Sequence, residues 1–187
     1  MSAAAAVAPR ATDAYTRTAV ALHWLMAVSI VGALILGYYM AGLPFSPSRV
    51  RLFNYHKWLG VSILTLAALR LLWRLSHRPP ALPTQVATWQ RGSAHAVHAL
   101  MYLLFFAVPL SGWAYSSAAG FPIVWFGVWP LPDWVAPDEA LAKTLATVHA
   151  WLAYGLAAIV VLHVAAAVGH AVHDGGQLLR RMLPSVP

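Results

Sequence analysis

Nine histidines in a chain that is 60% hydrophobic and only 9% charged are the residues whose chemistry asks for an explanation. An ionisable side chain inside a membrane is costly, and as a rule it faces the interior of a bundle where it has a task. Histidine serves as a metal or haem-iron ligand through a neutral ring nitrogen. His149 and His163 lie fourteen residues apart in one apolar run. On a helix that interval is about 21 Å of rise and leaves the two side chains within about 40° of one another. One face therefore carries a histidine at each of two depths, and a single haem cannot be ligated by both.

The same interval recurs on every apolar run, as His23 and Gly37, His56 and Arg70, His98 and Gly112, His149 and His163. Two b-type haems stacked along the membrane normal fit this pattern, with His56 and His149 at the outer level and His23 and His163 at the inner one. His98 is a third candidate at the inner level, either for an axial position or for a hydrogen bond to a haem propionate or a quinone carbonyl. His95 and His170 lie at similar depth. Gly37 and Gly112 would let a macrocycle approach the backbone, or simply let helices pack closely. Arg70 would pair with a propionate, or snorkel to the inner face. His77 and His173 read as solvated or interfacial.

Other metal chemistry fits less well. A zinc site gathers three or four ligands within a few ångströms, whereas these histidines are split between two depths with no carboxylate nearby. The chain has no cysteine, which excludes disulfides, thiolate zinc sites, iron–sulfur clusters and covalently attached c-type haem. The apolar runs also lack the acids that a carboxylate proton relay would need.

The elements that must position these side chains are membrane spans. Of 187 residues, those at about 18–40, 55–75, 96–118 and 144–172 form apolar runs that reach the roughly 20 residues needed to cross the hydrocarbon core. A soluble helical bundle would show a polar face on each helix, and VALHWLMAVSIVGALILGYYM offers none. The expected fold is all-α, a four-helix transmembrane bundle holding two b haems, in one domain over 1–187 with no repeat or linker. The N-terminal stretch lacks a basic region ahead of an apolar core, so the first span is expected to stay in the mature protein. The longer outer connection, AAGFPIVWFGVWPLPDWVAPDEALAKT, holds Trp125, Trp129 and Trp134; it reads as an interfacial aromatic belt or as a lid over an outer site.

Charge gives the orientation. Arg10, Arg17, Arg70, Arg74, Arg78, Arg91, Arg180 and Arg181 fall on one side, while Arg49, Arg51, Lys57 and Lys143 share the other with Asp133, Asp138 and Glu139. Basic loops stay cytoplasmic, so both termini are expected there. The net charge of +7 then reports topology, and no nucleic-acid partner is implied because the basic residues flank spans instead of forming a patch.

With ALHWLM opening the first span, NYHKWLG the second, AHAVHALMYLLF the third and VHAWLAYGLAAIVVLHVAAAVGH forming the fourth, the chain resembles the bacterial cytochrome b561 family over nearly its whole length. The order and spacing of the histidines carry the resemblance. It implies a four-helical protein with two b haems that exchanges electrons with ubiquinone, in a family that includes a superoxide oxidase. His23, His56, His149 and His163 would be the axial ligands and His98 would not. His170 would belong to a quinone site with His98 and Trp89. Iron with two histidine ligands has no open position, so outer-sphere electron transfer is the expected work. Arg49, Arg51 and Lys57 would make the outer face positive and attract an anionic donor such as superoxide. Two other functions suit the same features: an electron-transfer subunit that docks a dehydrogenase or hydrogenase, and a non-redox membrane protein with structural or metal-binding histidines. The oligomeric state is left open.

Overall fold

Four long helices follow the four apolar runs. The computed structural model describes residues 14–80, 87–173 and 176–183, which leaves Arg10 outside. The helices are α1 (Arg17–Ala41), α2 (Pro47–Ser76), α3 (Thr88–Ala118) and α4 (Glu139–His173), followed by the short α5 (Gln177–Arg180). Each of the first four is long and apolar enough to cross a membrane. Three of them start well before their apolar runs because local capping groups set the start. Ser46 Oγ accepts from the Arg49 N–H, with Pro47 in the first turn. Gln90 Oε1 accepts from the Ala87 N–H, and Asp138 Oδ1 accepts from the Leu141 N–H. Each cap satisfies a donor that the first turn cannot bond internally.

Helices α1 and α2 pack along one another as a hairpin, as do α3 and α4, and α2 meets α3 to join the two. A buried layer of Met26, Ile30, Ala33, Ile63, Ala67, Leu104, Phe105 and Leu156 draws on all four helices. Large apolar residues such as Tyr38 and Trp151 stand 79% and 71% exposed on the outside. That distribution suits a helix surrounded by lipid, where no hydrophobic force drives side chains inward. Ala67 has no exposed surface at all. We predict that Ala67→Leu overpacks this layer and costs about 1–3 kcal/mol, read as a lower thermal unfolding midpoint; an unchanged midpoint would show the layer to be loose.

The starts of α1 and α3 and the ends of α2 and α4 lie together, at the end called inner here. There Trp24 Nε1 donates to the Met182 carbonyl at 2.7 Å, which ties the C-terminal turn to α1. Trp73 Nε1 donates to Thr16 Oγ1 at 3.0 Å. His77 stacks on Trp73 with ring centres 3.8 Å apart, in keeping with its interfacial reading; the side chain of His173 lies outside the described residues.

At the outer end, two short antiparallel strands, β1 (Val124–Trp125) and β2 (Trp129–Pro130), form a small hairpin between α3 and α4. Its turn places Phe126 at φ 51° and Gly127 at φ 73°, a conformation that glycine adopts without steric cost. The hairpin is pinned to the bundle. Trp58 Nε1 donates to the Val124 carbonyl at 2.6 Å, Trp113 Nε1 to the Pro132 carbonyl at 3.1 Å and Trp125 Nε1 to Ser62 Oγ at 3.3 Å. Trp129 and Trp134 are exposed, while the strand before them packs against α2.

Candidate functional site

At the outer level α2 supplies His56 and α4 supplies His149. Their ring centres lie 6.1 Å apart with the planes at 85°, an edge-on arrangement. Behind His149, α3 provides the orienting group: Nδ1 is 3.0 Å from the Val108 carbonyl and 3.2 Å from Ser111 Oγ, while Ser111 Oγ itself donates to that carbonyl at 2.8 Å. A carbonyl only accepts, so Nδ1 carries the ring proton and Nε2 keeps its lone pair for a metal. His56 Nδ1 is buried with no hydrogen-bond partner.

Around this pair is a cavity of about 380 Å³ whose walls include Arg49, Lys57, Pro109, Gly112, Phe121 and Ile123. Phe121 and Ile123 belong to the roof segment. Lys57 Nζ donates to the Phe121 carbonyl at 2.8 Å, which Ser116 Oγ also approaches; Asp133 is close enough to attract Lys57. Arg49 lays its guanidinium on the Phe53 ring, 5.3 Å from its centre, with Nε buried and unpartnered. Arg51 is exposed and does not line the cavity, because two residues along a helix is about 200° of rotation. Of the three outer cations expected at the site, Arg51 is the one the fold turns away.

At the inner level His23 of α1 and His163 of α4 have ring centres 6.3 Å apart with planes at 63°. His98 of α3 is 5.6 Å from His163, so three histidines share this level. Arg70 Nη1 is 3.0 Å from His23 Nδ1. Arg70, expected to pair with a propionate, here meets the His23 imidazole. A guanidinium only donates, so Nδ1 accepts here; a metal on Nε2 requires either an imidazolate at His23 or a turn of Arg70 away from it. Arg74 lies over the Tyr102 ring, 5.7 Å from its centre, close to His98. His170 is half-buried two turns beyond His163, while Trp89 stands 72% exposed on the first turn of α3.

A Cβ on Gly37 would lie 2.9 Å from His56 Cε1, and a Cβ on Gly112 would lie 2.9 Å from His149 Cε1. Each glycine thus clears the surface of an imidazole. The Val108 carbonyl and Ser111 escaped the reading of the sequence, although the string VPLSG held a signal: Pro109 interrupts the helical hydrogen-bonding and a serine beside it can back-bond to a carbonyl.

The residues fit haem. Two imidazoles bound end-on to one metal at about 2 Å per bond place their ring centres about 6 Å apart, as both pairs do. Among the described residues no three histidine or carboxylate groups converge on one point. Each pair therefore suits a metal whose remaining ligands come from a macrocycle, and a four-helix membrane bundle with such pairs defines a b-type cytochrome. Comparison with known proteins agrees: the chain matches the family model for prokaryotic cytochrome b561 over residues 14–185. It is 32% identical over 172 residues to cytochrome b561 homolog 2 of Escherichia coli strain K12, covering 91% of this chain and 92% of that one. It is 27% identical over 180 residues to a probable superoxide oxidase CybB of Yersinia pestis, covering 91% and 96%. Cytochrome b561 homolog 1 of Escherichia coli is 24% identical over 177 residues. The protein belongs to the prokaryotic cytochrome b561 family of haem b-binding membrane proteins, whose work is electron transfer.

Proposed function

We propose that this protein moves electrons from superoxide at the outer end to ubiquinone at the inner end, holding one haem b between His56 and His149 and a second between His23 and His163. The observation that carries this reading is the presence, at two depths, of imidazole pairs whose centres are 6.1 and 6.3 Å apart. Haem held by these pairs would supply a one-electron carrier at each level. Two superoxide ions give up one electron each and leave as dioxygen; ubiquinone takes two electrons and two protons. The likeness to a probable superoxide oxidase supports the donor. The grouping of Arg17, Arg70, Arg74 and Arg91 at the inner end supports a cytoplasmic face there in a bacterial inner membrane, with the whole chain as one domain.

The chain's own residues have separate tasks in this scheme. His149 is held in one tautomer by Val108 and Ser111. Phe121 and Ile123 roof the outer cavity and narrow the approach, with Lys57 as a clamp on the roof. Arg49 and Lys57 place positive charge in the cavity wall, where it draws a small anion. At the inner level Arg70 and His98 provide polar hydrogens beside the histidine pair for a quinone carbonyl, and His170 extends that polar strip.

The test is superoxide-driven ubiquinone reduction by the purified protein. Arg49→Gln and Lys57→Gln should each slow it several-fold, and the double variant should lose the dependence on ionic strength, while Arg51→Gln stays at the wild-type rate. Equal rates in all four proteins would remove superoxide steering from the account.

A further inference from the structure

The two helical hairpins run in step. From His23, α1 reads H-W-L-M with Gly37 fourteen residues on; from His98, α3 reads H-A-L-M with Gly112 fourteen on. From His56, α2 reads H-K-W-L; from His149, α4 reads H-A-W-L. An offset of 75 residues carries α1 onto α3, and one of 93 carries α2 onto α4; the added 18 residues lie in the longer outer connection. The same offsets carry seven of the eight residues of the buried layer onto that layer or its immediate packing; Leu104 falls on Ser29. Met26 falls on Met101, Ile30 on Phe105, Ala33 on Val108, Ile63 on Leu156 and Ala67 on Val160, every one of them in the core or packed against it. No repeat was expected from the sequence, since the identities are few and the offset changes midway.

What the copies share is a seat for an imidazole. In the first hairpin the seat is Gly37, and its occupant is His56. In the second it is Gly112, and its occupant is His149. In both, the ring's Cε1 stands 2.9 Å from where a glycine Cβ would be; the second seat adds the Val108 carbonyl, 3.0 Å from His149 Nδ1. The inner level does not keep the equivalence: Arg70 stands at the position of His163, and His98 at that of His23.

We infer that the chain is two diverged copies of one helical hairpin and that Gly37 and Gly112 are equivalent positioning residues, each seating one of the two outer imidazoles. The inference rests on reading His56 and His149 as the outer haem's axial ligands. A methyl group at either glycine meets a rigid ring, so the imidazole must tilt. The change reaches the haem only through the ligand.

The experiment compares Gly37→Ala and Gly112→Ala with Gly32→Ala and Gly155→Ala, two helical glycines whose Cβ would meet nothing within 4 Å. Alanine favours helix over glycine, so the backbone does not oppose any of the four. Each holoprotein is read by low-temperature electron paramagnetic resonance and by the rate at which it yields haem to apomyoglobin. Gly37→Ala and Gly112→Ala should both shift one low-spin signal, the one that His56→Ala and His149→Ala abolish. Both should also speed loss of that haem by about 10–100-fold, the range seen when a ligand's outer partner is lost. The two controls should match wild type. Unmoved signals in either glycine variant, or a shift in the other haem's signal, would overturn the inference. Those results with normal haem content would leave the haem assignment standing, whereas a wild-type protein without haem would remove the reading beneath it.

Discussion

Substituting His149 with alanine is expected to leave the purified protein with one haem instead of two, and substituting His56 is expected to remove that same haem. The expectation follows from the ring centres lying 6.1 Å apart and from the Val108 carbonyl leaving Nε2 of His149 free to bind. Neither ring has another histidine as a ring neighbour among the described residues that could take its place. The surviving signal in both variants should be identical in redox titration and in its low-spin resonance, because both retain the His23 and His163 pair. Superoxide-driven quinone reduction should fall to background in each, since the outer entry point is gone. If the two variants kept different haems, the pairing across α2 and α4 would be wrong.

The second large effect separates His163 from His98. His163 has two histidine neighbours, His23 at 6.3 Å and His98 at 5.6 Å, so it is the residue common to any arrangement at this level. His163→Ala is expected to lose the inner haem entirely. His98→Ala is expected to keep both haems with unchanged low-spin signals while quinone reduction slows, which is the outcome for a side chain that touches the acceptor and not the iron. Retention of the inner signal in His163→Ala would remove His163 from the pair, and its loss in His98→Ala would put His98 in the place of His23. Distance alone does not rank His23 above His98, and this measurement does.

Much of this was legible in the sequence because membrane helices obey few rules and obey them strictly. The four apolar runs became four helices, and the fourteen-residue interval became two levels, since helix rise and rotation are fixed by backbone geometry. Helix starts were less legible: Ser46, Gln90 and Asp138 cap turns that project beyond the apolar runs, where hydropathy carries no signal. The uses of Gly37, Gly112 and Arg70 could not be read from one chain segment at a time. Each depends on which residue of the neighbouring helix stands opposite, and that register is set by packing of the hairpin. Arg51 shows the converse limit, because charge in a sequence has no direction until the helix phase is known. The roof was half legible: its tryptophans announced an interface, but the bonds from Lys57 and Trp58 that pin it over the outer cavity join residues 64 and 66 positions apart.

The central claim is that the chain holds two haem b groups on four histidines, and the most direct measurement is haem content per chain in the protein purified from cells with ample haem supply. The account predicts two per chain, falling to one in each of His23→Ala, His56→Ala, His149→Ala and His163→Ala. A wild-type content of one per chain, or two haems retained after any of those four substitutions, would contradict it.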